Sequence, residues 1–119
     1  MSNPFSLEGR TALVTGANRG LGRAFADAMA DAGADVVVVG RHEDRNREAA
    51  TEIAARSGRR TTVATGDVSD RADVHRIVDE ALAAHGRIDV LVNNAGIGYH
   101  RPALEVPDEE FAEVFDVNV

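Results

Sequence analysis

A chain of 119 residues has room for one domain around a single core. Hydrophobic residues at 44% and charged residues at 28% are ordinary for a globular protein, and a net charge of -7 argues against a nucleic-acid footprint, which needs clustered Lys and Arg. Cysteine is absent, which excludes disulfides, thiolate nucleophiles and Cys-ligated metals, and no apolar run approaches the ~20 residues of a membrane span.

The opening MSNPFSLEGR has no basic segment followed by an apolar run, so no secretory signal is read and a cytoplasmic setting is expected. RTALVTG (10–16) is a short buried strand ended by Gly16. Residues 20–32 place Leu21, Ala24, Phe25, Ala28, Met29 and Ala32 at helical spacing, with Gly33 as a stop. ADVVVVG (34–40) is a continuous β-branched run, as expected of a strand covered on both faces. Residues 43–57 form a polar helix with an apolar stripe at Ala49, Ala50, Ile53 and Ala54, stopped by Gly58. RTTVATG (60–66) is the third strand. Residues 70–85 set Val74, Ile77, Val78, Ala81 and Leu82 on one helix face, closed by Gly86. IDVLVNNAG (88–96) is a fourth strand running into a turn, and VPDEEFAEVF (106–115) opens a further helix with Asp108, Glu109 and Glu110 at the positive end of its dipole.

This β-α-β-α-β-α-β-α order predicts an α/β fold: a doubly wound parallel sheet of the Rossmann type with helices on both faces. A full dinucleotide fold has six strands and only about four are written here, so the sheet is expected to be incomplete. Residues 1–119 form one candidate dinucleotide-binding domain.

The first strand-to-helix turn, TGANRGLG, holds Gly16, Gly20 and Gly22. Gly16 permits the tight turn, Gly20 lets backbone approach a pyrophosphate, and Gly22 permits close helix–strand contact; free N–H groups at the helix start then favour an anion. A glycine-rich turn without a ligand is the bland alternative, but a strand before and a helix after favour phosphate binding. Asn18, Arg19 and Leu21 lie in the same turn and are candidate cofactor contacts.

The end of the second strand bears on the choice of cofactor. NAD sites place an acid there for the ribose 2′-hydroxyl, and NADP sites place an Arg nearby for the 2′-phosphate. Here the strand ends Val39-Gly40-Arg41 while Asp35 stands at its start, and Arg19 is a second basic candidate. NADP(H) is favoured, with NAD(H) as the alternative because Glu43 and Asp44 follow closely. At the end of the third strand Asp67 is a binding candidate, with Ser69 or Asp70 capping the next helix. His42, His75, His85 and His100 show no metal-ligand spacing, and His75 and His85 are placed on a solvated helix face. No metal site is expected.

The Gly-x-x-x-Gly-x-Gly turn after Thr15, together with Asn-Asn-Ala-Gly at 93–96, resembles the short-chain dehydrogenase/reductase family over Leu7 to Val119. The resemblance implies that Asp67 meets the adenine amino group, that Val68 forms an apolar wall, and that Asn94, Ala95 and Gly96 run along the adenosine ribose toward the nicotinamide. Asn93 is expected to tie neighbouring strands together. The family reduces carbonyls with an Asn-Ser-Tyr-Lys group, in which Tyr is the general acid/base and Lys lowers its pKa; a phenol near pKa 10 needs such help at neutral pH.

Asn118, in the family's Asn-Val context, matches the first member. The rest do not appear: all 13 basic residues are Arg, the single Tyr99 has Ala103 four residues on, and no Tyr-x-x-x-Lys exists. The chain is therefore expected to be the N-terminal, cofactor-binding part of an oxidoreductase interconverting a ketone and a secondary alcohol, truncated before its catalytic helix and inactive alone. A non-catalytic dinucleotide-binding module is the alternative. Nucleotide-sugar epimerases fit less well, because their turn carries Gly-x-x-Gly-x-x-Gly. The flanking sequences are similar to gluconate 5-dehydrogenases and 3-oxoacyl carrier-protein reductases, implying a small carbonyl or alcohol substrate and a homotetrameric parent.

Overall fold

Strand and helix alternate from Thr11 to Asn93 as the hydrophobic pattern predicts. The computed structural model describes residues 6–94; the expected helix at 106–115, with Ala95, Gly96, Tyr99, His100 and Asn118, lies outside the described residues. The elements are β1 (Thr11–Thr15), α1 (Gly20–Asp31), β2 (Asp35–Gly40), α2 (Glu43–Ser57), β3 (Thr61–Thr65), α3 (Arg71–His85) and β4 (Val90–Asn93). All strands pair in parallel, in the order β3-β2-β1-β4. The chain steps outward from β1 to β3, and α3 then carries it back past β1 to β4. Winding thus reverses between β1 and β4, the kind of switch point outside whose strand carboxyl ends ligands bind in open α/β sheets.

Strand periodicity divides the core in two. Ala12, Val14, Val36 and Val38 face α1 and α2, where they pack with Ala26, Ala30, Ala49, Ala50 and Ile53. Leu13, Val37, Val39 and Ala64 face α3 and pack with Ile77 and Ala81. Burial on both faces explains the unbroken valine run of β2, since neither face of that strand meets water.

The apolar spacing of α1 does not mark its buried face. Gly22, Ala26 and Ala30 are the buried residues, whereas Leu21, Ala24 and Ala28 are exposed and Phe25 and Met29 are half-buried. A helix lying close on a sheet presents its smallest side chains at the line of contact, so size rather than hydrophobicity selects the inner stripe. Helices α2 and α3 follow the expected stripes and end at Gly58 and Gly86 in left-handed caps.

His85 departs from the solvated position expected of it: its side chain is 1% exposed. Thr62 lies on the α3 face of β3, and its half-buried hydroxyl pairs with His85 Nε2 at 2.8 Å. Nδ1 lies 3.9 Å from Asp35 Oδ2 on β2. Burial, helped by the charge of Arg60 and opposed by Asp35, holds the imidazole below the usual histidine range. The unfolded chain therefore takes up the proton first as pH falls. Stability should be complete above about pH 6.5 and decline below it. Denaturant midpoints at pH 7.5 and 5.5 test this, with a flatter profile expected for His85→Gln.

The amino-terminal ends of β1 and β4 are held by one carboxylate. Asp89, whose side chain is 2% exposed, accepts the Thr11 backbone N–H at 2.8 Å, and its own N–H returns a bond of 2.8 Å to the Thr11 carbonyl. Arg87 Nε donates to the same carboxylate at 2.7 Å, and Arg10 stands at 3.8 Å.

Candidate functional site

Parallel pairing brings the carboxyl ends of all four strands to one edge of the sheet. Gly16 follows β1, Arg41 follows β2, Gly66 and Asp67 follow β3, and Asn94 follows β4. The candidates that lay far apart in sequence therefore share one rim.

The glycine turn has the conformation that its residues allow. Gly16 and Gly20 take φ of 64° and 60°, the left-handed region that side chains disfavour. A Cβ on Gly22 would overlap the Gly16 carbonyl and reach within 2.8 Å of Asn94 Nδ2, so α1 starts in direct contact with the β1 exit. A Cβ on Gly20 would meet nothing within 4 Å, which leaves the space in front of the turn open.

Arg19 is the N-cap of α1, in extended backbone, and no side chain caps the helix; its first turn contains no acid. The other helices differ. Helix α2 has Glu43 and Asp44 in its first turn, and Asp70 caps α3 by accepting from the N–H groups of Ala72 and Asp73. Among the three described helices, α1 alone leaves its positive end with neither carboxylate nor cap.

Arg19 and Arg41 are both exposed, as is Leu21 at 59%. Asp67 accepts both the backbone N–H of Ser69 at 2.9 Å and its hydroxyl at 2.7 Å. The Ser69 hydroxyl and N–H, with help from the Arg41 charge and against partial burial, hold the Asp67 carboxyl below the ordinary range. Asp67 is thus ionised at neutral pH, within electrostatic reach of Arg41. Asp70 caps α3 while Ser69 turns back onto Asp67, which settles between the two expected caps. Val68, half-buried beside Asp67, packs against the α3-side core.

Asn93 ties strands together: Thr15 Oγ1 donates to its Oδ1 at 3.1 Å, and the Asn94 N–H donates to the same Thr15 hydroxyl at 2.8 Å. The hydroxyl of β1 thereby sets where the chain leaves β4. Sequence reasoning missed two supports. Asn46, read as part of a polar helix, is fully buried beneath the rim. Asp73 Oδ2 accepts the Asp67 N–H at 2.8 Å, and the Arg76 guanidinium donates to the Thr65 carbonyl at 2.7 Å, holding the loop that carries Asp67. The polar residue at 46, one turn before the apolar Ala49-Ala50 pair, was the only signal for the first.

No cluster of three or more His, Cys, Asp or Glu suited to a metal ion occurs among the described residues, and none of the described helices is long and apolar enough to cross a membrane.

This geometry has close counterparts. The family model for short chain dehydrogenase matches residues 10–119. Sorbitol dehydrogenase of Cereibacter sphaeroides is 42% identical over 113 residues, covering 95% of this chain and 43% of that protein. The 2-dehydro-3-deoxy-D-gluconate 5-dehydrogenase of Dickeya dadantii is 38% identical over 98% of this chain and 45% of its own length. The crystal structure of L-sorbose reductase from Gluconobacter frateurii, complexed with NADPH and L-sorbose, superposes with a TM-score of 0.77 at 34% identity, over 90% of this chain and 41% of that one. The chain thus spans less than half the length of these relatives. With the glycine turn, the strand-end Asn pair and the parallel sheet in register, the chain belongs to the short-chain dehydrogenase family of NAD(P)-dependent oxidoreductases.

Proposed function

We propose that residues 1–119 are the cofactor-binding part of an NADP(H)-dependent oxidoreductase that interconverts a ketone and a secondary alcohol. One observation carries this reading: the positive end of α1 is uncapped and free of acids, and it opens directly off a turn in which Gly22 abuts the Gly16 carbonyl. That is a site for a pyrophosphate. The residues present fit the group. The turn around Gly16, Asn18, Gly20, Leu21 and Gly22 would take the phosphates, Arg19 and Arg41 the 2′-phosphate, Asp67 the adenine amino group, and Val68 the ring face. Asn94, with Ala95 and Gly96, would line the ribose. When bound, a nicotinamide supplies the hydride.

Two lines favour NADP(H) over NAD(H). The acid expected of an NAD site is absent from the carboxyl end of β2, and the L-sorbose reductase relative was crystallised with NADPH. Fluorescence titration of the 119-residue chain with NADPH and NADH tests the choice. NADPH should bind the more tightly. Arg41→Ala should weaken NADPH about 10- to 100-fold, the loss of a charge-assisted phosphate contact, and leave NADH nearly unchanged. Tighter binding of NADH by the unmodified chain would overturn the preference.

Asn118 is proposed as the one catalytic residue of this chain, a support for proton relay. With no lysine and no Tyr-x-x-x-Lys, the 119 residues alone should show no NADPH-dependent carbonyl reduction. A small carbonyl or alcohol substrate, a homotetrameric longer protein and a cytoplasmic setting belong to the same reading.

A further inference from the structure

Asn46 is fully buried in the first turns of α2, among alanines and Ile53, where an apolar residue would ordinarily stand. Its amide joins the ends of β2 and β3 to the glycine turn that follows β1. Nδ2 donates to the Gly40 carbonyl at 2.9 Å and to Thr65 Oγ1 at 3.2 Å, and Oδ1 accepts from Asn18 Nδ2 at 2.9 Å. The orientation of the amide follows from chemistry, because a carbonyl only accepts and Nδ2 must face it. Gly40 is locked into the same arrangement: a Cβ there would lie 2.5 Å from Asn46 Oδ1 and 2.6 Å from Asn18 Nδ2.

Two of these partners immediately precede the arginines of the rim. Asn18 comes before Arg19, and Gly40 comes before Arg41. Both arginines are exposed, so their side chains have little packing to hold them, and what aims them is the backbone from which they spring. We infer that Asn46 is a positioning residue that fixes the separation of Arg19 and Arg41 and thereby sets the selectivity for a 2′-phosphorylated dinucleotide. This inference rests on the proposed function. It adds a residue that touches no ligand and acts only through the two that would.

A buried amide in this role makes a distinct demand on experiment. A residue that merely stabilises the fold weakens both dinucleotides together when replaced. A residue that spaces the two arginines weakens the phosphorylated one selectively, since NADH has no group for them to hold. Asn46→Leu keeps the branched shape, though with bulkier methyl ends, and removes all three hydrogen bonds. The ratio of NADPH to NADH affinity should then fall about tenfold, with NADH affinity changed by less than about threefold and unfolding still cooperative. An unchanged ratio, with both affinities falling in parallel, overturns the inference. If Asn46→Leu does not fold, Asn46→Ser carries the test: its hydroxyl and a water can satisfy Gly40 and Thr65, but the reach to Asn18 is lost. The same selective fall is expected, and an unchanged ratio again overturns the inference. Failure of the unmodified chain to bind either dinucleotide would instead sink the proposed function, so the two failures are distinguishable.

Discussion

Gly22→Val should abolish dinucleotide binding while leaving a destabilised but recognisably α/β chain. The new Cβ would overlap the Gly16 carbonyl, a backbone atom that cannot swing aside as a side chain could. Relief requires α1 to lift off the sheet, and overpacking of this kind costs about 1–3 kcal/mol or more. The loss of function should exceed the loss of stability. Lifting α1 moves the N–H groups of its first turn, and a misplacement of ~1 Å at a positioned site costs on the order of 100-fold. Gly20→Ala is the informative contrast. Its φ of 60° makes a side chain strained, by about 1–2 kcal/mol, but the Cβ would meet no atom within 4 Å. NADPH titration with circular dichroism as the fold control separates the two variants. Wild-type affinity in Gly22→Val would show that the close approach of α1 to β1 has no bearing on binding.

Asp89→Ala should cost about 2–3 kcal/mol, seen as a fall of ~10 °C or more in Tm, and should change NADPH affinity by less than about twofold. The carboxylate is buried, and its loss leaves the Thr11 N–H without its partner. An orphaned buried donor costs about 1–3 kcal/mol, and the charge-assisted bonds from Arg87 are lost as well. The arginines themselves are half-exposed and return to water at little cost. Burial works to raise the Asp89 carboxyl, but the hydrogen bonds from Arg87 and Thr11 and the charges of Arg87 and Arg10 outweigh it and hold the group below its ordinary range. A carboxyl depressed in the folded state contributes stability that is present above about pH 3.9 and lost as pH falls through the folded value. The wild type should therefore lose stability in acid more steeply than Asp89→Ala. Binding stays intact because Asp89 lies at the opposite end of the sheet from the glycine turn. A marked loss of NADPH affinity in the folded variant would contradict that separation.

The architecture was legible where apolar residues and glycines mark it. The short apolar strand β1, the β-branched run of β2, the glycine turn, and Gly58 and Gly86 gave element order and boundaries within a residue or two. The rim was legible because its residues follow strand ends in a known pattern. What stayed hidden was polar burial and small-residue packing. Gly22, Ala26 and Ala30 form the inner face of α1, yet Leu21 and Phe25 dominate any hydrophobic reading of it. Asn46, His85 and Asp89 look like surface residues, and only the tertiary fold supplies the carbonyl, hydroxyl or N–H that lets each one leave water.

The four valines of β2 have a consequence for which mutations this domain tolerates. Val36 to Val39 are chemically identical and both faces of β2 are buried, so sliding the strand by one residue toward Gly40 would return a valine to three of the four positions and glycine to the last. Among those three valines, hydrophobicity cannot tell the correct alignment from the slipped one. The distinction rests on the ends, where Asp35 meets Arg59 at 3.3 Å and Gly40 meets Asn46 at 2.9 Å. Conservative exchanges among the central valines should therefore be borne easily. The few polar residues at the strand tips work as a ruler, and it is there that this sheet should be least forgiving of drift.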